Sequence, residues 1–275
     1  MPNVSYICKR ITKKQRIMKI TGIEDIGNTI DKIWNSDYMN ALAKELPWIK
    51  SRGYVFAHPF KADLLITGIN PSFRKGDEER NDPKGHGDVR VNFRPETWKE
   101  KNGRFWDTYF GPMRRMLVDE DNGINLMNRF DYLDIFNFKE KNQEVLRKQI
   151  MNKPEGVEFA KNELYLTQHI IEDIIKPKLI LVKNKESWAY WGKLRDKNLI
   201  WMGYDFEKIR DYQCGELFKI VGLLDSKDRV AQDITNENTS LKGTFVLFTE
   251  HITQYTKKEK RPTAVLLNDI LKEHR

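Results

Sequence analysis

Between Asp63 and Ser72 the chain reads Asp-Leu-Leu-Ile-Thr-Gly-Ile-Asn-Pro-Ser, and this stretch constrains the fold more than any other. The apolar run Leu64-Leu65-Ile66 is short and bounded by turn residues. It reads as a strand buried on both faces of a parallel sheet. Gly68 lets the backbone approach a neighbour closely or take a positive φ, and Pro71 forbids continuation of the ladder. The strand therefore delivers Asn70 to its carboxyl end, where open α/β sheets hold their ligands. An ordinary strand-to-loop turn would use the same residues for geometry alone, so the meaning of Asn70 depends on the residues downstream of it.

Other segments repeat the pattern. Ile26, Ile30, Ile33, Trp34, Met39, Leu42 and Leu46 recur at mostly helical spacing and predict one or two helices ending before Pro47. Tyr54-Val55-Phe56-Ala57 leads through His58-Pro59 to the organising strand. Residues 73–103 form a long polar segment carrying Phe73, Phe93 and Trp98, and loops of that length are often functional. A helix is expected from Arg104 to Leu117, and a second strand over Tyr132–Phe138 that again contains an Asn, Asn137. A helix from about Phe159 to Ile175 stops at Lys176-Pro177. Leu179–Val182 is a third strand. Residues 195–243 give no firm pattern beyond a candidate strand at Leu217–Leu224. Thr244–Phe248 is the last buried strand, and a helix over about 262–273 follows. Strands alternating with helices predict helices on both faces of a parallel sheet, joined by right-handed crossovers. No repeat or linker divides the chain, so the reading is a basic lead-in over 1–22 and one domain over 23–275.

Composition narrows the classes. No apolar run approaches the ~20 residues of a membrane span, and no secretion signal is visible at the start, so a cytoplasmic location is expected. Cys8 and Cys214 are the only cysteines, too few for an iron–sulfur cluster or a Cys-rich zinc site. No metal or cofactor is expected. Lysine and arginine number 48 against 40 acidic residues, a formal +8, which suits a polyanionic partner. Lys9, Arg10, Lys13, Lys14, Arg16 and Lys19 precede the first acid, and Lys257, Lys258, Lys260 and Arg261 cluster near the far end. Either group also fits a solvated face or a flexible tail.

Asn70, Asn137 and His251 thus follow three buried strands, and parallel strands would bring them to one edge. In this order the chain resembles the uracil-DNA glycosylase superfamily over roughly 54–270, nearest its mismatch-specific and single-strand-selective branches. Gly68-Ile69-Asn70-Pro71 is similar to the first motif of the mismatch-specific branch. Arg104-Phe105-Trp106 looks like the Arg-Phe-Trp that opens its next helix. Asn137 matches the strand-terminal Asn that reads the uracil edge, and His251-Ile252-Thr253-Gln254-Tyr255-Thr256 sits where the family carries His-Pro-Ser-Pro-Leu-Ser. The resemblance implies a three-layer α/β/α sandwich around a mostly parallel four-stranded sheet, and a monofunctional glycosylase acting as a monomer on single- or double-stranded DNA.

Under that resemblance each residue type has a task. Expelling a base as an anion leaves an oxocarbenium-like sugar, so the site must orient water and stabilise charge on the base. Asn70 has no basic pKa but can orient water through its carbonyl. His251 would donate to the base oxygen where charge grows. Asn137 offers a donor and an acceptor to a pyrimidine edge, Gly68 and Ile69 floor the base pocket, and Phe93, with Phe73 second, would stack on the base. The resemblance puts Tyr255 at the wedge filling the vacated stack, Thr256 and Thr253 at phosphate contacts, and Ser72, Arg104, Lys257 and Lys258 along the DNA. Ser72 stands where the family usually has glycine, and Ile252 where it has proline; both changes permit altered base preference or lost catalysis. Two other classes stay open: a catalytically silent nucleic-acid-binding protein on the same fold, and a nucleotide or sugar-phosphate enzyme. The last lacks support, since neither Gly-x-Gly-x-x-Gly nor Gly-Lys-Ser/Thr is present.

Overall fold

Leu64–Gly68 (β1) forms the expected strand, and all of its residues are buried. The computed structural model describes residues 19–73, 84–101, 103–140, 142 and 144–274. Cys8 and the lead-in up to residue 18 lie outside them. The lead-in ends earlier than the composition suggests: Ile20 is already buried, and its N–H donates to Asp173 Oδ2 at 3.2 Å.

The chain is mixed α/β, with helices packed on a mostly parallel sheet. Besides β1 the sheet contains β2 (Phe130–Asp134), β3 (Leu179–Val182), β4 (Tyr204–Tyr212), β5 (Gly215–Leu223) and β6 (Phe245–Thr249), in the order β4-β5-β6-β3-β1-β2. Strands β6, β3, β1 and β2 run parallel. The expectation of four strands is corrected to six, because β4 and β5 form an antiparallel hairpin that extends the sheet beside β6. The candidate strand at Leu217–Leu224 falls on β5, but the sequence hides β4, where charges at Asp205, Glu207, Lys208, Arg210 and Asp211 interrupt any apolar run. Such charges are what keeps an outer strand from pairing with other chains.

Alternate residues of the parallel strands feed two cores. Leu65, Leu133, Ile180, Val182 and Phe248 pack with helices α1 (Ile23–Trp34), α2 (Asp37–Glu45) and α3 (Pro154–His169). Leu64, Ile66, Phe130, Leu181 and Leu247 pack with the short helix Phe110–Arg114 and with α4 (Ala264–Glu273). In α1 the buried Ile26, Ile30, Ile33 and Trp34 make the single apolar stripe that a core-facing helix needs. Ser36 caps α2, its Oγ accepting from Met39 N at 3.2 Å. Ser36→Ala is expected to cost about 1 kcal/mol, read as a lower urea midpoint at unchanged slope. Pro154 opens α3 at a position where its missing N–H costs nothing. The helical path continues to Ile175 and ends at Lys176, in the left-handed region at φ 48°, just before Pro177.

Two local expectations change. Arg104–Trp106 is a strand paired antiparallel with Lys99–Lys101, and the helix starts only at Phe110. Aromatic and β-favouring residues at 105–106 outweigh the helical spacing downstream. From Lys84 on, the polar segment is not structureless either. Lys84–Gly87 pairs in parallel with Tyr54–Ala57 and leads into tight turns over Val89–Phe93 and Pro95–Thr97.

The register places the site. Thr67 of β1 lies opposite Leu133 of β2 and Val182 of β3, and Val182 lies opposite Phe248 of β6. All four carboxyl ends therefore reach one edge. The chain passes from β1 to β2 on one side and then to β3 on the other, which makes the gap beyond β1 and β3 a switch point.

Candidate functional site

A cavity of about 510 Å³ opens at that edge, a size suited to a small-molecule or base-sized ligand. Its walls take Ile69, Asn70 and Ser72 from beyond β1, Asp134 and Asn137 from the end of β2 and beyond, Lys183 from after β3 and His251 from after β6. Asn70, Asn137 and His251, far apart in the chain, thus line one space.

Each is held in a definite way. Asn70 Nδ2 donates to the carbonyls of Pro71 (3.0 Å) and Glu140 (2.7 Å). That fixes the amide and leaves its Oδ1 as the end with no partner among the described residues. Asn137 is only 3% exposed. Its N–H and its Nδ2 both donate to Glu163 Oε2, at 2.6 and 3.0 Å. Glu163 is fully buried, and burial pushes its carboxyl up to about 7. Asn137 lies three residues beyond β2, where its carbonyl accepts from Val55 N; it does not terminate the strand as expected.

The state of His251 depends on Asn184. The Oδ1 of Asn184 accepts from Glu186 N at 2.9 Å, so its Nδ2 is the atom 3.2 Å from His251 Nδ1. Nδ1 is then an acceptor, and the ring proton sits on Nε2. Partial burial, and then the nearby Lys183 cation, hold the imidazole below its ordinary pKa. At neutral pH the ring is an uncharged donor.

Beside these stands a group that the sequence does not single out. Tyr132 Oη donates to Asp134 Oδ1 at 2.9 Å and is 2.6 Å from Tyr109 Oη. Burial raises the Asp134 carboxyl to about 6 against the opposing effects of Lys183 and the Tyr132 hydroxyl. Lys183 is 1% exposed, with its Nζ 4.4 Å from the centre of the Tyr109 ring. Gly68 makes room for this group: a Cβ there would lie 1.9 Å from Asp134 Oδ1 and 2.3 Å from Tyr132 Oη. Close approach, not a positive φ, is the reason for glycine. The edge rule that singles out Asn70 applies equally to Lys183, the first residue after β3, which reads in sequence as part of a turn.

No family model, curated protein or solved structure matches this chain. The site therefore rests on its own geometry.

Several candidates lie elsewhere. Phe93, expected to stack on a base, is fully buried beneath the site, its ring 4.7 Å from Phe130 and 5.2 Å from Phe110. The apolar faces of the adjacent helix and strand claim it, and the aromatic walls of the cavity are Tyr109, Phe110 and Tyr132 instead. Phe73 is also buried away from the cavity, under the Arg52 guanidinium at 4.9 Å. Arg104 sits exposed on its hairpin, outside the lining of this cavity. Thr253 and Thr256 shape their own loop: Thr256 Oγ1 accepts from Thr253 N at 2.9 Å and donates to His251 O at 3.2 Å. Tyr255, at the tip of that loop, is 85% exposed, and Lys258 begins an exposed turn.

A second cleft of about 600 Å³ adjoins the first at His251 and includes Lys185, Trp188, Cys214, Thr256, Lys257 and Lys260. Among the described residues no cluster of three His, Cys, Asp or Glu could hold a metal, and no helix is long and apolar enough to cross a membrane.

Proposed function

We propose that this protein is a monofunctional DNA glycosylase that hydrolyses the N-glycosidic bond of uracil or a related damaged pyrimidine, as in base excision repair. The observation that carries the reading is the meeting of Asn70, Asn137 and a neutral His251 in one base-sized cavity at the switch point. The accompanying fold reading is a three-layer α/β/α sandwich of the uracil-DNA glycosylase type, with the β4–β5 hairpin an addition at one edge.

In this mechanism the Asn70 carbonyl orients the attacking water without deprotonating it. His251 donates its Nε2–H to the base oxygen as negative charge develops there; a neutral donor gains strength as the acceptor charges, so it favours the transition state over the bound base. Asn137, its amide locked by Glu163, meets the pyrimidine edge. Tyr109 and Phe110 take the stacking task in place of Phe93. Extruding the base costs a few kcal/mol, which the exposed Tyr255 offsets by filling the stack while Lys257 and Lys258 meet phosphates.

Oligonucleotides carrying uracil opposite guanine, opposite adenine or in single strands, treated with alkali after incubation, test this. Strand cleavage is expected with wild type. Asn70→Ala and His251→Ala are each expected to slow it about a hundredfold or more. Intact strands in every lane, with DNA binding that weakens steeply with salt, would instead favour the silent nucleic-acid-binding reading. The prior commitment of Asn137 Nδ2 to Glu163 is the observation on that side.

A further inference from the structure

The mechanism above leaves Lys183 without a task, and its setting is unusual. Lys183 lines the cavity while being 1% exposed. It makes no ion pair within 4.0 Å and no hydrogen bond among the described residues; the face of the Tyr109 ring, 4.4 Å away, is what its ammonium meets instead. The other ionisable groups of the cavity hold contacts of their own. Asp134, whose carboxyl Lys183 helps to keep ionised, lies beyond 4.0 Å from its ammonium and accepts the Tyr132 hydroxyl, and Glu140 pairs with Arg52. His251 takes the Asn184 amide on Nδ1. An ammonium in so buried a side chain, with its nearest carboxylate out of ion-pair contact, is costly, and a ring face compensates only part of the loss. The cation also shares the cavity with flat and apolar surfaces: the rings of Tyr109 and Phe110, and the side chains of Val55, Ala57 and Val89 around the wall. A tetrahedral anion would leave those surfaces bare, whereas a planar ring would cover them.

We infer that the cavity is built for a planar heterocycle that carries a negative charge, with Lys183 as its counter-ion. Under the glycosylase reading, on which this identity for the ligand rests, the anion is the departing base: the bond to the sugar carbon breaks, its electron pair goes to the base, and water adds its oxygen to the sugar carbon and releases a proton to solvent. Lys183 then binds the charged product more tightly than the neutral base. The same cavity without glycosylase activity would take a free anionic heterocycle.

Titration calorimetry with free ligands separates these cases. Barbiturate serves as a planar pyrimidine-ring anion, uracil as its neutral counterpart, and inorganic phosphate as a non-planar anion. Wild type is expected to bind barbiturate about tenfold or more tighter than uracil, and phosphate weakly. Lys183→Met is expected to erase the preference for barbiturate while leaving uracil affinity within about twofold, and Lys183→Arg to keep part of it. Thermal melts check that Lys183→Met folds; loss of an unpaired buried charge should not lower its melting temperature. Equal affinity for barbiturate and uracil in wild type, an unchanged preference in Lys183→Met, or phosphate binding as tight as barbiturate would each overturn the inference. Barbiturate preference with no base release from any oligonucleotide would keep it while removing the glycosylase reading. Base release with no barbiturate preference would do the reverse.

Discussion

Gly68→Ala is expected to destabilise the protein by about 3 kcal/mol and to abolish function with it. Gly68 is the last residue of a strand buried along its whole length, hydrogen-bonded between β2 and β3. The added methyl would meet Asp134 Oδ1 at 1.9 Å and Tyr132 Oη at 2.3 Å. Neither neighbour can yield cheaply. The Tyr132 hydroxyl is held between Asp134 and Tyr109, and its ring packs in the core against Phe93. Displacing Asp134 would break a buried hydrogen bond and turn its carboxyl toward the cavity wall. A urea titration measures the loss. Adding Asp134→Ala to Gly68→Ala should recover part of the stability, because the two atoms compete for one space. Additive losses would mean that Gly68 matters for some other reason.

Glu163 carries the second large effect, and its sign depends on pH. The carboxyl is buried and titrates near 7 in the folded chain against an ordinary value of 4.5. Below about pH 4.5 it is protonated whether folded or unfolded, and above about 7 it is ionised in both. Between these the folded chain keeps a proton that the unfolded chain has released. Stability is therefore fully present at the acid end of the window and falls as pH rises through it, by about 3 kcal/mol for this group. Asp131 (raised to about 7) and Asp134 (to about 6), both driven up by burial, tilt the curve the same way. Glu163→Gln keeps an acceptor for the two Asn137 donors and cannot ionise, so it should flatten the profile and be more stable than wild type at pH 8. Glu163→Ala leaves both donors unpaired and should cost about 3–5 kcal/mol. Denaturation midpoints of the three proteins from pH 5 to 8 check this, and a Glu163→Gln profile parallel to wild type would rule out Glu163 as the source.

Glu163 also shows why some of the site was hidden. It lies on α3 and reads as one more charge on an ordinary helix, yet it fixes Asn137, 26 residues earlier, through two hydrogen bonds. Lys183 and Asp134 were in plain view at strand ends, but a lysine before Asn184 reads as a turn and an aspartate inside Phe130–Asp134 as an exposed strand residue. Phe93 went the other way. An aromatic in a polar loop suggests a ligand contact, and only the packing of Phe110 and Phe130 against it shows that the core absorbs it.

What the sequence determined by itself was local and periodic. Short apolar runs ended by Gly, Asn and Pro gave buried parallel strands, and helical spacing gave α1, α2, α3 and α4 close to their observed positions. The shared edge of Asn70, Asn137 and His251 came from strand direction alone, because parallel strands must end together. Tertiary structure decided everything that depends on partners distant in sequence. The outermost strand β4 exists because β5 offers it an open edge, not because its own residues demand it. Gly68 is required because Asp134 and Tyr132 close over it. His251 carries its ring proton on Nε2 because Asn184 is oriented from its other end, and Lys183 is buried against the face of the Tyr109 ring. Burial and pairing set those charges and proton positions, and both arise only once the strands are assembled.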